Sequence, residues 1–271
     1  MYPFKYHRPT SVADAVKLFE AGDDSAFLSG GHTLLPALKA RLAAPSDMID
    51  LTVLPELKGI EKTEGGILIR GGTVHADVAA SRLVRDTIPV LAGLAGSIGD
   101  RHVRHRGTIG GSVANNDPAA DYPAAVLALN ATVITNRRRI AADDYFTGLY
   151  ETCRQPGEIV VGVEFPMPRS AGYAKFRNLA SRYALAAAFV ACFKAGVRVA
   201  VTGAYSSGVT RVTQFEAALD VDFSAEALHA LSVDSEDMLS DAAASSAYRA
   251  NLVKVLTRRA VARQGGVHIY K

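Results

Sequence analysis

Two glycine-centred stretches decide how this chain is read: Ser29-Gly30-Gly31-His32-Thr33 near its start, and Arg106-Gly107-Thr108-Ile109-Gly110-Gly111-Ser112 further along. Each is a small-residue turn that follows a predicted strand or coil and leads into apolar sequence. Glycine lets backbone N–H groups converge on an anion and form a concave nest for phosphate oxygens. One Gly-Gly turn is ordinary punctuation. Two of them, flanked by the hydroxyls of Ser29, Thr33, Thr108 and Ser112, suggest a pyrophosphate held between two loops, and hence a dinucleotide. Plain structural turns are the competing reading. His32 either donates to a phosphate or braces its own loop.

The surroundings of both stretches follow a strand–loop–helix order. Ser11 precedes apolar positions at helical spacing and is expected to cap a helix. Ala26-Phe27-Leu28 reads as a buried strand entering the first loop, and Leu34, Leu35, Leu38 and Leu42 form one face of the helix that leaves it. Free N–H groups at that helix start would add positive potential beside the loop. Met48–Leu51 and Ile67–Arg70 read as strands, and Ile88–Ile98 as an apolar helix. The run Arg101–Arg106 is expected to be a solvated or partner-facing loop, though it could also offset phosphate charge. Pro118 is expected in the first turn of the helix running to Leu129. Asp121, one helical turn beyond the second loop, either complements a helix dipole or accepts bonds from a chain of hydroxyls. Thr132–Thr135 and Glu158–Phe165 are β-branched strands, with Arg137-Arg138-Arg139 at a hairpin tip. Pro166–Gly172 is a proline- and glycine-rich connector. Beyond it, Ala184–Phe193 and Val197–Ala204 read as a strand pair, followed by a helical tail around Tyr248–Ala260. The expectation is two α+β domains.

Composition narrows the function. The chain has 271 residues, 49% hydrophobic and 21% charged, with a net charge of +3 that gives no support to a nucleic-acid role. Cys153 and Cys192 fit neither a metal-ligand spacing nor a disulfide framework, so a reducing cytoplasm is expected. The N-terminus has no apolar core of signal-peptide length, and the longest apolar run is about half a membrane span. No membrane span is expected, while peripheral attachment through a partner stays open. There is no G-x-G-x-x-G after a strand, no P-loop, no H-E-x-x-H and no nucleophile elbow, which removes the usual Rossmann, nucleotide-hydrolase, metalloprotease and serine-hydrolase readings.

With both stretches placed, the chain resembles the FAD-binding medium subunit of the molybdenum hydroxylases, of the carbon monoxide dehydrogenase type. The family patterns A-G-G-H-S and T-I-G-G-N stand here as Ser29–Thr33 and Thr108–Ser112. Asn115, Asp117-Pro118 and Asp121-Tyr122-Pro123 extend the match. The resemblance runs from the Phe4–Pro9 opening to the C-terminal helices. It implies an α+β FAD-binding fold of the vanillyl-alcohol-oxidase (PCMH) type over 1–168, with subdomains of about 1–54 and 55–168. A smaller α+β domain over 169–271 would cover the flavin. It further implies that backbone N–H groups of Ser29, Gly30, Gly31, His32, Thr33, Thr108, Ile109, Gly110, Gly111 and Ser112 bind the pyrophosphate. Asn115 and Asp121 match positions near the ribityl and flavin end. Lys175 matches a flavin-contacting lysine, Tyr183 the residue over one face of the isoalloxazine ring, and Val160 an apolar neighbour of the adenine or ring system. Ser112 departs from the pattern by replacing an asparagine.

The resemblance also implies a role. FAD, held non-covalently, would take electrons from two [2Fe-2S] clusters of a small subunit and pass them to an external acceptor. Substrate would be hydroxylated at a molybdenum cofactor in a large subunit, within a dimer of heterotrimers. Two rival readings stay open here: a self-contained flavin oxidase with Tyr183 and Arg182 above the flavin, and an assembly subunit that has lost FAD. Carbon monoxide, an aldehyde, an N-heterocycle and an aromatic thioester are all candidate substrates of the complex.

Overall fold

A computed structural model describes residues 1–270. The chain begins with a small parallel sheet. Strand β1 (Lys5–His7), helix α1 (Val12–Ala21), β2 (Ser25–Leu28), helix α2 (Leu34–Lys39) and β3 (Asp47–Asp50) give the strand order β1-β3-β2. Ser11 caps α1 as expected, its side chain accepting from the Asp14 amide. Helix α2 is shorter than the leucine spacing predicted. Arg41 takes a left-handed backbone (φ 60°), and the Leu42 amide bonds back to the Ala37 carbonyl at 2.9 Å. This closing motif ends the helix and leaves Leu42 83% exposed, off the core face.

The next segment folds β4 (Ile60–Lys62) and β5 (Gly66–Arg70), then a helical layer: α3 (His75–Ala80), α4 (Arg82–Thr87), α5 (Pro89–Ser97), α6 (Arg101–Arg104), α7 (Ile109–Asn115) and α8 (Asp121–Ala128). After the layer come β6 (Thr132–Thr135), β7 (Arg139–Ala141), α9 (Ala142–Tyr145), the hairpin β8 (Phe146–Gly148) and β9 (Glu151–Thr152), and β10 (Val160–Pro166). The sheet is antiparallel, ordered β4-β5-β10-β6-β7, and Arg137 and Arg138 do sit at the β6–β7 turn.

Three expectations in this segment are corrected. The basic run is a helix rather than a loop, because Asp100 caps it by accepting from the Val103 amide. The second glycine stretch is not a loop either: Thr108 caps α7, so Gly110 and Gly111 are its first turn. Pro118 lies in a turn ahead of α8, set by the Asp117 carboxylate accepting from the Ala119 amide; Pro123 is the proline inside the first turn.

The last segment is β11 (Ser170–Arg177), β12 (Ala184–Phe193), β13 (Gly196–Thr202), β14 (Thr210–Arg211), α10 (Thr213–Val221), α11 (Ser246–Ala262) and β15 (Val267–Tyr270). Its sheet runs β14-β13-β12-β11-β15, antiparallel except for the β11–β15 pair. Strand β15 was not anticipated. The apolar run of β12 is explained by burial on both faces. Ala187, Phe189 and Ala191 join the core of the helical layer, while Ala186, Ala188 and Val190 join the core under α10 and α11. Among the described residues no helix is long and apolar enough to cross a membrane.

Glycines bring these layers together at backbone distance. A Cβ on Gly110 would lie 2.6 Å from the Gly71 carbonyl oxygen, and the Gly110 amide donates to that same oxygen at 2.8 Å. Gly110→Ala is therefore expected to destabilise the chain by about 1–3 kcal/mol, read by thermal or urea unfolding. Unchanged stability would show that the contact relaxes freely.

Candidate functional site

A cavity of about 660 Å³ opens where the β2–α2 turn, α7, the start of α8, the Arg154–Val160 segment and Tyr183 meet. That volume falls within the roughly 300–1,000 Å³ of small-molecule and cofactor sites. Among the residues singled out from the sequence, Ser29 to Thr33, Thr108, Gly110, Gly111, Ser112, Asn115, Asp121, Val160 and Tyr183 all line it. Ile109 and Lys175 do not line the cavity. Ile109 is fully buried in the helical core, and Lys175 stands behind Asp121.

The two glycine stretches touch. Ser29 Oγ and Thr108 Oγ1 share a hydrogen bond of 2.7 Å, and a Cβ on Gly30 would meet the Arg106 carbonyl oxygen at 2.4 Å and the Gly107 Cα at 2.7 Å. Their amides, however, are used differently. In the second stretch the amides of Ile109, Gly110, Gly111 and Ser112 donate to Thr73 O, Gly71 O, Thr108 Oγ1 and Thr108 O. In the first, the amides of Gly30, Gly31, His32, Thr33 and Leu34 have no acceptor among the described residues, and all five residues line the cavity. The left-handed backbone of Gly31 (φ 78°) bends this run into a concave row of donors. The row of free amides thus lies in the first stretch, whereas the second keeps only that of Thr108 and buttresses the turn. The side chains of Arg101, Arg104 and Arg106 do not line the cavity.

One wall is apolar. Phe19 and Phe27 stack there with centroids 4.6 Å apart, beside Leu51, Leu57 and Ile159. Another part of the lining is polar. Asp121 occupies the first turn of α8 and is 4% exposed. Lys175 and Tyr173, two apart on β11 and so on one face of the strand, both reach it. Lys175 Nζ lies 2.8 and 2.9 Å from its two carboxylate oxygens, and the Tyr173 hydroxyl donates to it. Burial, and then the Asp121 charge, push the Tyr173 hydroxyl well above its ordinary range, so it stays a donor. Tyr183 is 44% exposed at the rim, held by the turn in which Arg182 takes φ 63°. Burial, reinforced by Asp117 and Asp121, raises its hydroxyl as well.

His75 and Tyr173 were not singled out from the sequence. Tyr173 was readable from strand parity, since it shares its face with Lys175. His75 carried no local signal, because it enters the cavity wall through a single bridge pairing Val74 with Thr108. Its imidazole is 5% exposed, and burial, then the neighbouring His32 and Arg104, lower its pKa from 6.5 to about 3.

Known proteins resemble this chain along its whole length. Residues 2–168 match the family described as the FAD binding domain in molybdopterin dehydrogenase. The carbon monoxide dehydrogenase medium chain of Hydrogenophaga pseudoflava is 34% identical over 96% of this chain and 98% of its own. The nicotine 6-hydroxylase medium subunit of Paenarthrobacter nicotinovorans is 36% identical over 96% and 97%. A chain of the reconstituted CO dehydrogenase from Oligotropha carboxidovorans superposes with a TM-score of 0.89 at 31% identity, covering 97% of this chain and 98% of that one.

Two outcomes follow from the polar wall. Lys175→Met strands a buried carboxylate and is expected to cost about 3–5 kcal/mol in urea unfolding, most of it recovered in the Lys175→Met/Asp121→Asn double variant. Because the folded chain keeps His75 neutral, stability present above pH 6.5 is lost progressively as pH falls towards about 3. His75→Gln is expected to flatten that part of the stability–pH profile, and an unaltered profile would locate the loss in other groups.

Proposed function

The chain belongs to the FAD-binding family of the molybdopterin dehydrogenases, and from that premise we propose that it is the FAD-carrying electron-transfer subunit of a molybdenum hydroxylase complex. The observation that carries the reading is the row of unpartnered amides from Gly30 to Leu34 facing a cavity of cofactor size. Five free N–H donors converging on one concave surface fit a multiply charged anion such as a pyrophosphate. The residues present therefore suit FAD.

In this proposal the nest binds the pyrophosphate through its amides. Ser112 keeps a hydroxyl at the cavity where the family pattern has an amide; its own N–H is taken by Thr108. Asp121, fixed in place by Lys175 and Tyr173, accepts from hydroxyls of the ribityl chain. Lys175 thereby acts through Asp121 rather than by direct contact. Tyr183 lies against the flavin ring at the rim, limiting water, and Val160 packs from the sheet side. Bound FAD supplies a centre that takes up electrons singly and releases them singly or in pairs.

The same reading places two [2Fe-2S] clusters on a small subunit and the molybdenum cofactor on a large one, in a cytoplasmic dimer of heterotrimers. Cys153 and Cys192 are both free, and among the described residues no group of three or more His, Cys, Asp or Glu side chains is placed to hold a metal. Relatives of similar identity are named for carbon monoxide and for nicotine, which supports a substrate pocket outside this subunit. We propose further that the chain divides at about residue 168, the end of the matched family region.

The test is a titration of the purified full chain with FAD, followed by flavin fluorescence. Saturable, non-covalent binding is expected. Gly31→Ala is expected to weaken it about tenfold or more, because the new Cβ is strained at φ 78° and meets Leu35 Cδ1 at 2.9 Å. Flavin should be reduced by substrate only when the small and large subunits are added. Reduction by the chain alone would favour a self-contained oxidase, and absence of binding in both the chain and the native complex would sink the proposal.

A further inference from the structure

His75 is the buried polar side chain of the cavity wall that the reading above leaves without work. Its Nδ1 is sealed from solvent and has no hydrogen-bond partner. Its Nε2 makes no bond among the described residues either, but it is not sealed. Its position is tightly built. The His75 amide donates to the Gly107 carbonyl at 2.9 Å, and a Cβ on Gly107 would lie 2.6 Å from Nε2. Gly107 is thus glycine because the imidazole occupies the space beside it. The other side of Gly107 is covered by Gly30, whose own Cβ would fall 2.7 Å from the Gly107 Cα. The imidazole is one residue removed from the first amide of the nest.

Burying a polar ring with both nitrogens idle is unfavourable unless something enters the cavity to use one of them. An unpaired buried N–H is less tolerable than an unpaired acceptor. The sealed Nδ1 is therefore the bare nitrogen, and Nε2 carries the hydrogen. That leaves an N–H donor on a ring that lines the cavity, separated from Gly30 by Gly107 alone.

We propose that His75 is a further ligand of the dinucleotide, donating from Nε2 of a neutral imidazole to an oxygen of the pyrophosphate that the Gly30–Leu34 amides hold. This rests on the FAD reading and deepens it. Burial holds the ring neutral before any ligand enters. Tyr122, whose ring centroid is 5.3 Å from that of His75, backs the imidazole and limits its movement.

The experiment uses the full chain, with FAD as the probe, the dissociation constant from fluorescence and the ³¹P spectrum of bound FAD. His75→Leu is expected to weaken FAD binding about tenfold or more and to shift a pyrophosphate resonance. His75→Gln, which keeps an N–H donor, is expected to stay within about threefold of the parent. Circular dichroism establishes folding; if His75→Leu does not fold, Gly107→Ala, which displaces the imidazole, takes its place. A folded variant with unchanged affinity, or with weaker affinity and an unshifted pyrophosphate signal, overturns the proposal. An unmodified chain that binds no FAD instead overturns the reading on which it rests.

Discussion

The architecture depends on backbone lying directly against backbone. Gly30 meets Gly107, and Gly110 meets Gly71, at separations where a single methyl group would collide with a carbonyl oxygen or a neighbouring Cα. Close-packed interiors do not absorb such an intrusion cheaply. These contacts bring the β2–α2 turn of the first sheet onto the start of α7 in the helical layer. One consequence is economical in donors: the second stretch spends its amides on Thr73, Gly71 and Thr108. The first stretch, held in place by that scaffold, keeps its own amides free. Glycine serves here as a spacer between segments more than as a lining for the ligand.

The polar wall obeys a different constraint. A carboxylate almost excluded from water is tolerable only with a counter-charge and satisfied lone pairs. Asp121 receives both from one strand, where alternation points Tyr173 and Lys175 the same way. The cavity therefore presents an acceptor on one side and a row of donors on another. That asymmetry suits a ligand with a charged pyrophosphate at one position and hydroxyls at the next.

Much of this was readable in the sequence, and the misses have physical causes. Local signals held: Ser11 caps α1, β-branched runs became β6 and β10, and the expected strand pair after the connector became β12 and β13. Where reading by spacing failed, a cap or a turn had overruled it. Arg41 stopped α2 short of Leu42, Asp100 made a helix of the basic run, and Thr108 made a helix start of a supposed loop. Features that rest on distant partners left no local trace. His75 reaches the cavity through one bridge to Thr108, and β15 finds its place beside β11 only in the folded sheet.

That last pairing bears on how slowly the cavity is completed. Strand β11 carries Lys175, and its outer neighbour β15 pairs Ile269 with Lys175 only after β12, β13, α10 and α11 have intervened. Contacts of such sequence separation form slowly, because a long loop must close before any contact offsets its entropy. The nest is no more local, since Ser29 meets Thr108 and Gly30 meets Gly107 from far along the chain. Both sides of the cavity thus depend on closing long loops, and neither is complete until segments distant in sequence have met.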